Sequence, residues 1–123
     1  SLVDCLYYIT KSDFFTGFPL ETMVPLILAA DLSQVKGVGI FGAGDAADAL
    51  FVLCEGRIDF NGEPVAATGH VFGEKELFAG IPRRNTAYGH EALLLRISRH
   101  DLLDTISAIP GLGMAFLQKL AVV

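Results

Sequence analysis

The chain has 123 residues, a formal net charge of −5 and a hydrophobic share of 52%. This length predicts a single domain over residues 1–123, large enough to bury a core of its own. The negative charge argues against direct nucleic-acid contact, because duplexes are bound by clustered basic side chains and only Arg83 and Arg84 are adjacent here. No apolar run reaches the roughly 18 residues of a membrane span, so no membrane-spanning helix is expected.

Cysteine usage and the N-terminal residues indicate where the protein works. Cys5 and Cys54 are far apart in sequence and too few for a disulfide framework. The first residues lack the charged and apolar segments of a signal peptide. We therefore expect reduced thiols and a cytoplasmic location. Because the first residue is Ser rather than Met, we also expect the sequence to be one domain of a longer protein.

The N-terminal part, about residues 2–30, has apolar side chains at helical spacing. Gly17 and Pro19 separate two predicted helices, and the first of them directs Phe14 toward the core. Pro25 has no N–H, so it is expected in the first turn of the second helix.

The middle part, about residues 32–99, has short apolar runs separated by Gly, Asn and Asp, which is typical of an antiparallel sandwich or barrel. Asn61-Gly62 accepts positive φ at both positions and predicts a type I′ hairpin between Arg57–Phe60 and Glu63–Ala67. Further strands are predicted at Gln34–Lys36, Gly39–Phe41, Ala49–Cys54, Asn85–Gly89 and Leu93–Ile97. The predicted fold is mainly β with flanking α, an antiparallel jelly-roll-like β-barrel (double-stranded β-helix) with N-terminal and C-terminal helices.

The C-terminal part, about residues 100–121, returns to helical spacing, and Pro110 divides it into two helices. Ser98 and Asp101 have the spacing of a helix N-cap and a first-turn carboxylate. Together with His100 they contain the residue types of a catalytic triad. Residues this close in sequence do not converge on one point, so we predict capping rather than catalysis.

The segment from Phe72 to Thr86, FGEKELFAGIPRRNT, has the features of an anion site. Gly73 permits a tight turn, and the amides that open a short helix over Glu74–Ala79 lack intrahelical partners, which favours phosphate. Arg83 and Arg84 supply guanidinium forks suited to phosphate oxygens, and the first carboxylate of the helix is an acceptor suited to sugar hydroxyls. The segment is therefore predicted to hold both a phosphate and a ribose.

In order and spacing this segment resembles the phosphate-binding cassette F-G-E-L-A-L-L-x-G-x-P-R-x-A-T of cyclic nucleotide-binding domains. The matching residues are Phe72, Gly73, Glu74, Leu77, Phe78, Gly80, Pro82, Arg83 and Thr86. An upstream stretch, Ile40 to Asp45 and on to Gly56-Arg57-Ile58, resembles a second motif of that family. The resemblance covers about residues 14–120 and is to domains of catabolite-activator-type regulators, protein kinase regulatory subunits and nucleotide-gated channels.

The resemblance implies a non-enzymatic receptor for a cyclic purine nucleotide, cyclic AMP (cAMP) rather than cyclic GMP (cGMP), without cofactor or metal. It implies that the ligand is bound by Phe72, Gly73, Glu74, Arg83, Arg84, Asn85 and Thr86. Arg83 matches the phosphate arginine, and a register with one extra residue would assign that role to Arg84. Lys75 and Glu76 replace an aliphatic and a small residue of the family pattern, and Asn85 replaces an alanine. Glu76 is expected to be a solvated charge.

The resemblance also implies how a signal would leave the domain. Ligand phosphate and ribose would draw the cassette helix inward and shift the C-terminal helices between two packings. The recipient would be an effector domain or partner protein outside this sequence. The C-terminal helix would also be the contact of a homodimer.

Two other interpretations stay open. A degenerate barrel that binds no nucleotide would serve as a docking or oligomerisation module. Gly37–Gly42 matches the dinucleotide motif G-x-G-x-x-G, but that motif needs a helix directly after it, whereas Asn61-Gly62 predicts an antiparallel hairpin. The dispersed histidines lack the spacing of a zinc site, at His70, His90 and His100.

Overall fold

The structure, a computed structural model, describes residues 2–121. Both predicted pairs of helices and the strand-rich middle are present. In chain order the elements are α1 (Leu2–Thr10), α2 (Leu20–Ala29), β1 (Asp31–Phe41), β2 (Ala49–Phe60), β3 (Glu63–Val65), β4 (His70–Phe72), α3 (Glu74–Ala79), β5 (Ala87–Ser98), α4 (Arg99–Ala108) and α5 (Leu112–Ala121).

The five strands form one antiparallel sheet in the order β1-β5-β2-β3, and β4 pairs with a second part of β2. Residues 58–60 of β2 pair with β3, and residues 51–53 pair with β4. The predicted fold class, mainly antiparallel β with helices at both ends, is confirmed. The sheet formed by the described strands is not closed on itself, so the β-roll is an open version of the expected barrel.

The strands are longer than the sequence predicts, because glycines taken as breaks lie inside them. Each of β1, β2 and β5 joins two predicted strands. Gly56 has a φ of +88° and lies between two register shifts of β2 against β5. A Cβ atom on Gly56 would lie 1.9 Å from the carbonyl oxygen of Glu91. Glycine therefore marks a bulge with close strand contact here, not a turn.

The predicted hairpin is confirmed. Asn61 and Gly62 have φ angles of +55° and +85°, and Phe60 pairs with Glu63 across a two-residue loop. This is the geometry that a type I′ turn requires. The Asn61 N–H donates to the carbonyl oxygen of Thr86 at 2.7 Å, so the hairpin tip is tied to the chain that follows the cassette.

Replacing Asn61 with proline should lower the free energy of unfolding by about 2–4 kcal/mol. Proline cannot adopt a positive φ, and it removes the N–H that donates to Thr86. The urea midpoint measures the loss. Asn61→Gly keeps both the backbone angle and the donor, so its midpoint should stay near the parental one. Equal midpoints for the two variants would contradict the turn assignment.

The N-terminal helices differ from prediction in two details. Phe14 lies in turns between α1 and α2, because the first helix spans an earlier stretch and ends at Thr10. Pro25 is inside α2, beyond its first turn, contrary to expectation. The helix continues through the proline while Leu26 and Ile27 are buried against the core.

Successive side chains of β2 point to opposite faces of the sheet, and the core is therefore divided into two clusters. Leu50 and Val52 face the helices and join the first cluster, whereas Phe51 and Leu53 face the inside of the roll and join the second. The first cluster holds the helices on the sheet, and the second lies beside the cassette.

The C-terminal helices begin as predicted. The Ser98 side chain caps α4 by accepting from the Asp101 N–H at 3.1 Å, and the chain breaks around Pro110 before α5. The predicted capping role of Ser98 is therefore confirmed. Among residues 2–121, no helix has the length and apolar character needed to cross a bilayer.

Candidate functional site

A cavity of 560 Å³ lies between the β2–β3 hairpin, β4 and α3. Its volume falls within the range of roughly 300–1,000 Å³ usual for small-molecule sites. Five of the seven residues expected at the ligand line it: Phe72, Gly73, Glu74, Arg84 and Asn85. The remaining two, Arg83 and Thr86, are not among the described residues that line it. The structure thus gathers most of the predicted residues around one space.

Glu74 supplies an acceptor at the start of α3. Among the described residues its Oε2 atom is buried without a hydrogen-bond partner. Burial raises the pKa of the Glu74 carboxyl, because removal from water disfavours the charged form. A buried oxygen without a donor is costly, and a ligand hydroxyl would satisfy it.

Arg83 is buried, with 3% of its surface exposed. Its Nη1 atom donates to the carbonyl oxygen of Gly73 at 2.5 Å, and its Nη2 atom donates to that of Ala49. The guanidinium also lies over the Phe41 ring, with Cζ 4.2 Å from the ring centroid. Burial lowers the pKa of the guanidinium, and nearby carboxylates, Glu76 foremost, act in the opposite direction. Arg83 therefore joins the cassette to the start of β2.

The main chain of Arg83 is held as firmly as its side chain. Its N–H donates to the Asp45 carbonyl oxygen, and its own carbonyl oxygen accepts from the Gly44 N–H, both at 2.8 Å. Thr86 holds the same loop, because its Oγ1 accepts from the Ala43 N–H at 3.2 Å. Arg83 and Thr86 therefore attach the end of the cassette to the loop of residues 43–45.

Glu76 is buried, so the expectation of a solvated charge is wrong. Its Oε1 atom accepts from the main-chain N–H of Arg84 at 3.3 Å. The Arg84 side chain is exposed and lines the cavity together with Lys75. The residues by which this cassette departs from the family pattern therefore shape the cavity wall.

Sequence reasoning missed the walls that come from the hairpin and β4. The lining residues outside the predicted set are Phe60, Asn61, Glu63, Val65, His70, Val71, Lys75 and Glu76. Phe72 stacks on the His70 ring at 6.2 Å and meets Phe60 edge-on at 6.4 Å between centroids. The signal that could have found them is the Asn61-Gly62 turn, since it folds the hairpin over the cassette.

The dinucleotide interpretation is excluded by the fold. Residues 37–41 of that motif lie in β1, which pairs antiparallel with β5. The chain next enters β2 without an intervening helix. A dinucleotide fingerprint requires a helix after the glycines and a parallel sheet.

The chain has the fold of cyclic nucleotide-binding domains, as the cassette resemblance predicted. The N-terminal domain of a transcriptional regulator from Streptomyces coelicolor A3(2) matches with a TM-score of 0.78 and 24% identity, covering 93% of this chain and 89% of that one. The catabolite activator protein of Thermus thermophilus matches with a TM-score of 0.73 and 24% identity over 89% of this chain, which spans 57% of that protein.

A candidate cyclic nucleotide-binding protein from Geobacter metallireducens matches with a TM-score of 0.74 and 21% identity, covering 89% of this chain and 87% of that one. No family model and no curated protein sequence matches the chain. At these identities the similarity establishes the fold.

Proposed function

We propose that this domain is a cytoplasmic ligand-sensing module, not an enzyme, that binds a cyclic purine nucleotide, cAMP ahead of cGMP. The observation that carries the proposal is the 560 Å³ cavity, which five of the seven expected cassette residues line. The preference for cAMP rests on the resemblance of the cassette. Residues 1–123 would form one such module.

The proposed site divides its tasks among the expected residues. The unpartnered buried oxygen of Glu74 would accept from a ribose hydroxyl. The apolar faces of Phe60 and Phe72 offer contact area for a base. Phosphate would be neutralised by the arginine side of the cavity, with Asn85 beside it. The seven proposed positions are Phe72, Gly73, Glu74, Arg83, Arg84, Asn85 and Thr86, of which Arg83 and Thr86 support the wall.

A route for the signal runs through aromatic side chains. Phe78 of α3 lies 5.4 Å, between ring centroids, from Phe116 of α5. Phe116 is 1% exposed and also contacts Phe14, Phe15 and Phe18. If ligand binding moves α3, Phe116 must repack, because interior packing leaves no slack. We propose that α5 passes this change to an effector domain or partner protein.

Titration calorimetry with cAMP and cGMP tests the proposal, with linear 5′-AMP as the matched ligand. We expect saturable binding of a cyclic nucleotide, tighter for cAMP, and slower hydrogen exchange in α5 once it is bound. Absence of binding of both cyclic nucleotides at about 1 mM, which corresponds to a free energy weaker than about −4 kcal/mol, would overturn it.

One observation favours a second candidate, a docking or homodimerisation module. Met114 and Leu117 lie on α5 and are 60% and 59% exposed. Apolar side chains at i and i+3 on one helix face suit contact with another helix. Under this alternative, sedimentation would show a dimer that is unaffected by cyclic nucleotides. A ligand-dependent change would favour the sensing module instead.

A further inference from the structure

A second cavity, of 380 Å³, lies where the end of α1, the chain entering β4 and α5 meet. Its described lining comes from residues 11–14 and 67–71 and from Lys119, and includes no residue of the cassette from Phe72 onward. A Cβ atom on Gly69 would lie 2.6 Å from the main-chain carbonyl carbon of Lys11, so two of its walls are in close contact. The volume is sufficient for a small organic molecule.

Ser12 contributes a buried hydroxyl to this second cavity. The residue is 2% exposed, and among the described residues its Oγ atom has no hydrogen-bond partner. Its main-chain groups are satisfied, because the N–H donates to the Ile9 carbonyl oxygen at 3.0 Å and the carbonyl oxygen accepts from Thr16 Oγ1 at 3.2 Å. A buried hydroxyl without a partner is disfavoured, and a ligand oxygen in the cavity would accept its proton in a hydrogen bond.

Two ammonium groups line the second cavity, and within the described part of the chain neither forms an ion pair with a carboxylate. Lys11 Nζ lies 5.1 Å from the centroid of the Tyr7 ring, and Lys119 Nζ donates to the main-chain carbonyl oxygen of Asp13 at 3.4 Å. Burial lowers the pKa of His70, so its ring is neutral at pH 7. The two lysines therefore outnumber Asp13, the acidic residue of the described lining.

The lysines are not required to complete the end of α1. The carbonyl oxygen of Tyr7 accepts from Thr10 Oγ1 at 2.7 Å, and that of Tyr8 accepts from the Lys11 N–H at 3.1 Å. The last carbonyls of the helix thus have donors without an ammonium group. Lys119 belongs to α5, so its presence at the same cavity is a result of the tertiary fold.

We propose that this second cavity binds a small anion that carries carboxylate or phosphate oxygens, held by the Ser12 hydroxyl and by the ammonium groups of Lys11 and Lys119. The hydroxyl donates to one anion oxygen, and each ammonium supplies a charged donor that adapts to the shape of the anion. A bound anion would join the end of α1 to α5. The site goes beyond the proposed function, because it requires no cyclic nucleotide.

Titration of the chain with sodium phosphate and with sodium citrate, followed by amide NMR at constant ionic strength, tests the site. We expect saturable shifts at residues 11–13 and 67–71 and at Lys119, with a Kd of about 1 mM for the better ligand. Tighter binding of phosphate would identify a phosphate group as the ligand chemistry, and tighter binding of citrate a carboxylate. Shifts confined to residues 72–76 and 84–86, or equally produced by sodium chloride, would overturn the proposal.

Ser12→Ala and Lys119→Gln separate anion binding from folding. Each should raise the Kd by about 10-fold or more, whereas Lys36→Gln, at an exposed lysine outside the cavity, should change it by less than about 2-fold. Without anion, Ser12→Ala should melt at or above the parental temperature, because it removes a buried hydroxyl that lacks a partner in the described structure. Parental Kd values in both Ser12→Ala and Lys119→Gln would overturn the assignment.

Discussion

Replacing Gly56 with alanine is expected to cost the domain about 2–5 kcal/mol of unfolding free energy, a large share of the roughly 5–15 kcal/mol typical of a domain. Two causes add together. The φ of +88° is unfavourable for a residue with a Cβ, and that Cβ would lie 1.9 Å from the Glu91 carbonyl oxygen and 2.9 Å from Ala92 Cα. These atoms belong to the backbone of β5, so the overlap is relieved only by moving β5 away from β2.

Gly62→Ala is the matched control for this prediction. Gly62 has a φ of +85°, and a Cβ there would meet no other atom within 4 Å among the described residues. Both variants therefore bear a similar conformational cost, and only Gly56→Ala also forces two strands apart. Free energies of unfolding from urea titration should differ by about 1–3 kcal/mol between them, with Gly56→Ala the less stable and the less soluble on expression. Equal midpoints would show that β2 and β5 tolerate separation at this bulge.

Features set by neighbouring residues could be predicted from sequence. The Asn61-Gly62 hairpin and the Ser98 cap each depend on residues within three or four positions, and both are confirmed. The predicted helix over Glu74–Ala79 also forms, between two glycines with positive φ. Local chemistry was sufficient in these cases, because the partner of each group lies beside it in the chain.

Features set by distant residues could not be predicted in this way. Gly56 and Gly89 interrupt the apolar pattern, yet they allow close approach to Glu91 and Val35, which belong to neighbouring strands. From sequence alone, a glycine at a bulge and a glycine at a turn look the same. As a result, β2 and β5 were each predicted as two separate strands, although each is continuous in the structure.

The cassette shows the same limit at the level of the candidate site. Arg83 and Arg84 have identical chemistry and differ only in which partners the fold provides. The carbonyls that receive Arg83 belong to Gly73 and Ala49, which are 10 and 34 residues away in sequence. The family spacing predicts an arginine after the proline of the cassette, but only the fold shows that Arg83 is buried and Arg84 is exposed.

Replacing Arg83 with methionine is expected to destabilise the ligand-free domain by about 2–4 kcal/mol, because the buried carbonyl oxygens of Gly73 and Ala49 would lose their donors. Methionine keeps much of the side-chain length and can pack against Phe41, so the loss reports hydrogen bonding more than a cavity. For a domain of this size the melting temperature should fall by roughly 10–20 °C, measured by thermal unfolding without ligand.

Arg84→Met is the matched control, since Arg84 is an exposed arginine in the next position. Its melting temperature should stay near the parental value, because surface substitutions usually change stability by less than about 0.5 kcal/mol. Arg83→Lys should be intermediate, since a single ammonium cannot reproduce the fork that serves two carbonyls. Equal melting temperatures for Arg83→Met and Arg84→Met would show that the guanidinium of Arg83 does not stabilise the domain. The cassette would then be joined to β2 mainly by apolar packing such as the stacked rings of Phe51 and Phe72, whose centroids are 5.3 Å apart.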